Sequence, residues 1–294
     1  MIKSTIKVKL ALCALGLLTA LAPAAAQKSY LWKVESRTAT VYLLGSIHVA
    51  KAETYPLDKE IEEAYAASDT LGVEVDIASD QVNSSIIMQH ARYGGDTTLK
   101  MMVKPETYKA IVEELKKHSI PELFIAKTKP WFAIMMLLNL ELAKGGFDKT
   151  EGVDMHFLQK AKRSKKPIIE LESIEFQLKL FERFDQYADD YFAYSIKEAG
   201  ETPKEIDSML AAWKKGDDKK LEGMLNEATD EFPALTPLMD ALLTERNITM
   251  TTSLERLLER NGKYFIVVGA GHLIGEKGIV NDLKSKGKYK IKRY

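Results

Sequence analysis

Cysteine is almost absent: the 294 residues hold one, Cys13. It lies in an apolar segment near the start, so the rest of the chain has no disulfides, thiolate metal ligands or cysteine nucleophile. Leu12 is a poor residue immediately before a lipidated cysteine, which argues against a lipoprotein signal. An excess of one charge is missing too, with 42 Lys and Arg against 42 Asp and Glu. No basic face points to nucleic acid. Beyond residue 26 no apolar run is long enough to cross a membrane. Residues 131–140 come nearest, and they read as a buried helix. The chain also lacks a Gly-rich phosphate loop, a Gly-x-Ser-x-Gly elbow and a His-Glu-x-x-His pair. These absences weigh against a nucleotide enzyme, an α/β-hydrolase and a conventional zinc protease.

What is present begins with a leader. Lys3, Lys7 and Lys9 precede an apolar stretch over residues 10–21, and Ala24-Ala25-Ala26 offers a small-residue cleavage site before Gln27. Its uncharged run, residues 10–26, is at the short limit for a membrane anchor. The expectation is therefore a signal peptide over 1–26 and an exported protein, periplasmic or secreted, with no stable span after cleavage. Removing the leader leaves 39 basic and 42 acidic residues. Without disulfides, the remaining chain must rely on its core, and it is long enough to build one. The simplest organisation is one domain over 27–294 with helical insertions at about 79–150 and 174–257.

Hydrophobic patterning predicts an α/β (mixed α+β) fold: a central mixed sheet carrying a large helical insertion. Residues 31–34 and 40–44 read as a hairpin, 70–77 as a strand bearing two acids, 168–171 as a strand, and 264–268 as another. A helix from Pro56 to residue 66, a stripe at Tyr108, Ile111, Val112 and Leu115, and another at Val153, Phe157, Leu158 and Ala161 fit helical spacing. A later helix over 244–259 shows a stripe at Ile248, Leu254, Leu257 and Leu258. The basic end, residues 284–293, reads as a solvated helix turn and an edge strand.

One pattern occurs twice. Apolar residues 41–44 lead into Gly45-Ser46-Ile47-His48, and apolar residues 265–268 lead into Gly269-Ala270-Gly271-His272. Each reads strand, then Gly-x-x-His, with the glycine expected to let the chain turn sharply. Strand ends converge on one edge of an open α/β sheet, where ligands bind. Glu74 and Asp76 are expected on one face of the third strand. An acid inside a buried strand is expensive unless it is paired or holds a cation. Two imidazoles and a carboxylate are a ligand set for a divalent metal with open positions. In a metal-free alternative, His48 is a general base oriented by Glu74. Of the other histidines, His90 and His118 read as surface residues, and His156 lies near Asp154, a candidate helix cap. Arg246 and Asn247 alone read as a helix-face salt bridge.

At these residues the chain resembles the TraB/GumN family, whose animal relatives include the Tiki proteases. The matching segments include residues 31–34, 42–48 (YLLGSIH), 55–57, 68–76, 129–131, 152–154, 166–172 with Gln177, Arg246-Asn247 with Met250, and 268–273. The resemblance implies a mixed α/β core with a helical subdomain. It also implies metal-dependent peptide hydrolysis in the Tiki branch, with manganese or cobalt as the ion; zinc also suits such ligands. It maps the metal set onto His48, Glu74 and His272, and places Arg246 and Asn247 at the site. The resulting expectation is an exported metallohydrolase, a peptidase, acting on a peptide or small molecule. Glu74 or a metal-bound hydroxide would activate water, and Arg246 or Asn247 would stabilise the oxyanion. The alternatives are a non-catalytic periplasmic binding protein for a peptide, haem or envelope ligand, and a metal-independent esterase-like hydrolase.

Overall fold

The computed structural model describes residues 29–79, 84–198 and 200–294. The segment expected to be a leader, residues 1–26 with Cys13, and the expected mature start Gln27 lie outside them. Six strands form one mixed sheet: β1 (Leu31–Glu35), β2 (Ala39–Ser46), β3 (Thr70–Val73), β4 (Ile168–Glu170), β5 (Gly262–Gly269) and β6 (Lys290–Arg293). Their order across the sheet is β4-β3-β5-β2-β1-β6. Neighbours from β4 to β2 run parallel, while β1 is antiparallel to both β2 and β6. The expected hairpin is present, and the basic C-terminal strand lies at one edge.

The register explains why the two Gly-x-x-His motifs meet. β2 and β5 are parallel neighbours, with Ser46 opposite Gly269. Both strands therefore deliver their histidines to the same edge. β3 flanks β5 on its other side, with Val73 opposite Val267. Glu74 thus leaves β3 at that edge too. β5 lies between the two strands that carry the other groups.

The expected third strand is shorter than its pattern suggests, ending at Val73 rather than running to residue 77. Beyond it, the Glu74 carbonyl accepts a bond from the Glu172 amide, and Asp76 turns the chain by accepting from the Ala78 amide at 3.1 Å. The two acids therefore do not share a strand face. The helix expected from Pro56 starts at Lys59.

Helices fill the connections. Those between β3 and β4 include Pro105–Lys117, Pro130–Lys144 and Val153–Ser164; those between β4 and β5 include Ile174–Glu182, Thr202–Lys215 and Arg246–Leu258. No helix among the described residues is long and apolar enough to cross a membrane. The main core joins sheet and helices around Phe157, whose ring packs at a tilt against Tyr65 and Phe265 at centroid distances of 5.1 and 4.8 Å. A second apolar cluster lies within the helical region, around Ile111, Leu115, Ile134 and Leu137.

The helix Arg246–Leu258 departs from the expected stripe. Ile248 is 65% exposed. The inward face instead opens with Arg246 and Asn247, followed by Met250, Thr251 and Leu254. A π-helical turn, Ala241–Glu245, directly precedes it. Such turns recur at functional sites.

Core packing predicts a contrast. Phe157→Ala should lower the unfolding free energy by about 3–5 kcal/mol, and Phe124→Ala, at a side chain left exposed, by no more than about 0.5 kcal/mol. Urea denaturation of both variants checks this; equal losses would contradict the packing described.

Candidate imidazole–carboxylate site at the sheet edge

The first glycine of each motif is required by space. Neither Gly45 nor Gly269 adopts the left-handed conformation, so the turning role expected for them is not the reason. A Cβ on Gly45 would meet the Ala270 Cα at 2.9 Å. A Cβ on Gly269 would sit 3.3 Å from His48 Nε2, 3.4 Å from His272 Cδ2 and 3.5 Å from Glu74 Oε1. Gly269 is thus the floor of a cradle on which all three side chains converge.

His48 follows β2 in a loop that docks on the start of the helix Val153–Ser164. The Val153 amide donates to the Ile47 carbonyl. Gly152 packs so closely on the His48 carbonyl that a Cβ there would lie 2.3 Å from its oxygen. This docking brings Asp154 Oδ2 to 3.1 Å from His48 Nδ1. The cap position of that helix is Gly152; Asp154, expected as a cap, binds His48 instead. His156 stacks on Tyr55 at 4.6 Å and stays outside the cradle contacts.

His272 is buried in the short helix Ala270–Leu273. Its Nδ1 lies 2.7 Å from Asn247 Oδ1. The Asn247 amide nitrogen donates to the Lys277 carbonyl at 2.9 Å, which fixes the oxygen toward the imidazole. Nδ1 must then carry the proton, leaving the Nε2 lone pair free. Nε2 lies 3.7 Å from Glu74 Oε1.

Glu74 is held from several sides. Its Oε1 accepts from the Gly269 amide at 2.7 Å, and Oε2 accepts from Arg246 Nη2 and from Gln177 Nε2 at 3.3 Å. Arg246 also grips Glu172: Nε lies 3.0 and 3.1 Å from its two oxygens, and Nη2 lies 2.7 Å from Oε2. The Glu172 side chain is fully enclosed and receives a further bond from Gln177 at 2.9 Å. Arg246 Nη1 donates to the Leu242 carbonyl. Asp76 faces Lys162 at 3.6 Å and has none of these contacts.

These contacts set opposite protonation states on the two histidines. Burial pushes His272 down, Glu74 pulls it back, Arg246 and His48 lower it further, and the result is about 4. His272 is therefore neutral at physiological pH. Desolvation is the largest single effect on His48 and opposes its charge, although the side chain keeps 61% of its surface open. The Asp154 carboxylate, then Glu74, outweigh it and lift His48 to about 9. Burial alone would raise Glu74; His272, Arg246, His48 and the Gly269 amide overcome it and hold the carboxyl at about 2.

Sequence reasoning gave Asp154 a different role and assigned none to Glu172 or Gln177. The latter two stood only as members of a family pattern. It also placed His118 at the surface, whereas its side chain is 5% exposed and lies beside Glu141. Among the described residues, the ligand atoms of Glu114, His118 and Glu141 all lie within 4.8 Å of one another. The sheet-edge trio does not form so tight a group.

The fold and this cluster define a mixed α/β protein with paired strand-end histidines around a buried carboxylate. The chain belongs to the TraB/PrgY/gumN family, whose model matches residues 30–293. It is 25% identical to the Uncharacterized protein YbaP of Escherichia coli (strain K12), across 83% of this chain and 87% of that one. It is 22% identical to a Metalloprotease TIKI homolog of Amphimedon queenslandica, across 92% of this chain and 62% of that protein. No solved structure matches.

The two imidazoles should titrate apart. In metal-free protein, ring nitrogen NMR should show His272 neutral and His48 protonated between about pH 5 and 8, because burial lowers the first and Asp154 raises the second. Parallel titration of both rings near their ordinary value would contradict the site as described.

Proposed function

We propose that this protein is an exported metal-dependent hydrolase, a peptidase, with a divalent ion held by His48, His272 and Glu74. The observation that carries the reading is the way both imidazoles are tied back. Asp154 holds Nδ1 of His48 and Asn247 holds Nδ1 of His272, which directs each Nε2 toward the Gly269 cradle and the Glu74 carboxylate. Metal-ligating histidines usually have such partners on the second ring nitrogen. The donor set, two nitrogens and an oxygen, suits manganese, cobalt or zinc. The exposed His48 ring is the donor with room to close on an ion. Such an ion would supply Lewis acidity toward a substrate carbonyl.

The protein groups then divide the work. Glu74, held at about 2 by its neighbours, is too weak a base to activate water, so we assign it to ligation rather than proton transfer. Arg246 and Asn247 spend their hydrogen bonds on Glu172, Glu74, His272 and backbone carbonyls. They are better suited to positioning than to stabilising an oxyanion. Asp154 favours protonated His48 in the metal-free state, which disfavours the alternative in which His48 is the base of a metal-independent esterase. Export rests on the leader over residues 1–26, and the single-domain reading of 27–294 is kept with it. The similarity to a metalloprotease homolog supports peptide bonds as the substrate class.

Protein purified without chelator should contain about one equivalent of manganese, cobalt or zinc at this site, lost in His48→Ala/His272→Ala, and should cleave peptides in a chelator-sensitive manner. Asn247→Ala and Asp154→Ala should each weaken metal affinity or activity about 10–100-fold. Full metal binding by the double variant would overturn the reading. A Soret band on reconstitution with haem, without hydrolysis, would instead favour the binding protein.

A further inference from the structure

The helical region between β3 and β4 contains a second group of metal-ligating side chains. Glu114 and His118 lie four residues apart at the end of the helix Pro105–Lys117, close enough in spacing to share one face. Glu141 comes from the helix Pro130–Lys144. Both helices feed the same apolar cluster, through Ile111 and Leu115 on one and Ile134 and Leu137 on the other. The three side chains each offer a ligand atom, all within 4.8 Å of one another.

Glu114 and Glu141 are each only 6% exposed. Two buried carboxylates this close repel one another and cost free energy unless a cation compensates. The compensation in place is supplied from outside: Lys117 Nζ lies 2.5 Å from Glu114 Oε2 and Lys144 Nζ 2.6 Å from Glu141 Oε1, and these lysine side chains are 64% and 52% exposed. Exposed lysines can swing into solvent at little cost. His118 points independently to a ligand. Its side chain is 5% exposed, and Nε2 lies 2.9 Å from Glu141 Oε1. The alignment is wrong for a hydrogen bond, however, and Nε2 has no hydrogen-bond partner. A buried imidazole nitrogen normally finds one. A cavity of about 180 Å³ opens beside Glu114 and Glu141, leaving room for water to complete a coordination shell.

We infer that Glu114, His118 and Glu141 bind a divalent transition ion of the zinc class, which clips the two helices together. One imidazole and two carboxylates suit such an ion better than magnesium or calcium. The clip is separate from the sheet-edge site and does not depend on the function proposed for it. An ion bound only by the folded state stabilises the fold by mass action.

The test uses zinc with the full chain carrying His48→Ala/His272→Ala, which removes the sheet-edge donors. Equilibrium dialysis should find one zinc per chain, and zinc should raise the melting temperature. Adding His118→Gln or Glu141→Gln should abolish both effects while the circular dichroism spectrum stays unchanged. If one of these variants fails to fold, the other decides. The inference is overturned if the His48→Ala/His272→Ala chain binds no zinc, or if a folded His118→Gln or Glu141→Gln variant retains it. Failure of the sheet-edge reading looks different: wild type and His48→Ala/His272→Ala would bind equal zinc, with one equivalent still lost on His118→Gln.

Discussion

Arg246 clamped between Glu74 and Glu172 is the interaction on which the site depends. Glu172 is enclosed and Glu74 nearly so, and buried carboxylates are tolerated only when paired and fully hydrogen-bonded. The guanidinium meets this need with fixed planar geometry, engaging both oxygens of Glu172 and reaching Glu74 with one arm. Gln177 bridges the same two carboxylates. One cation against two anions leaves negative charge at the cradle, on the side that faces the imidazoles. In the metal-free protein that charge helps hold a proton on His48. An ion bound at His48 Nε2 would have to displace that proton, because a metal ligand must be deprotonated.

The sheet supplies the precision that the clamp requires. β5 runs between β3 and β2, so one residue, Gly269, lies between Glu74 and His48 and donates its amide to the carboxylate. Its missing side chain is what allows the three groups to meet. The helices complete the frame from outside. Trp213 donates to the Gly45 carbonyl at 2.7 Å, and the docked loop at Gly152 carries Asp154 to His48. Sites mounted on rigid elements hold their geometry better than sites on loops alone.

Much of this was legible in the sequence, and for identifiable reasons. The repeated strand–Gly-x-x-His pattern places both histidines at strand ends, and parallel pairing of β2 and β5 turns that local signal into proximity. Glu74 stood out as an acid in an apolar run. The roles of Asp154, Glu172 and Gln177 did not, because each acts through partners distant in sequence; Asp154 lies 106 residues from His48, and Glu172 lies 74 from Arg246. Ile248 misled for the opposite reason: a stripe chosen by hydrophobicity assigns it inward, whereas the buried face there is occupied by Arg246 and Asn247. His118 in a polar stretch reads as solvated, whereas in the fold its side chain is enclosed beside Glu141, 23 residues further on. The glycines were rightly singled out but for turning, when close approach of neighbouring elements is what demands them.

The most direct measurement is anomalous diffraction at the manganese edge from crystals of the protein soaked in that ion. The account predicts a peak over Gly269 within about 2.0–2.3 Å of His48 Nε2, His272 Nε2 and a Glu74 oxygen, a normal span for bonds to nitrogen and oxygen ligands. A soaked crystal with no peak there, and with Arg246 still closed on Glu74, would contradict it.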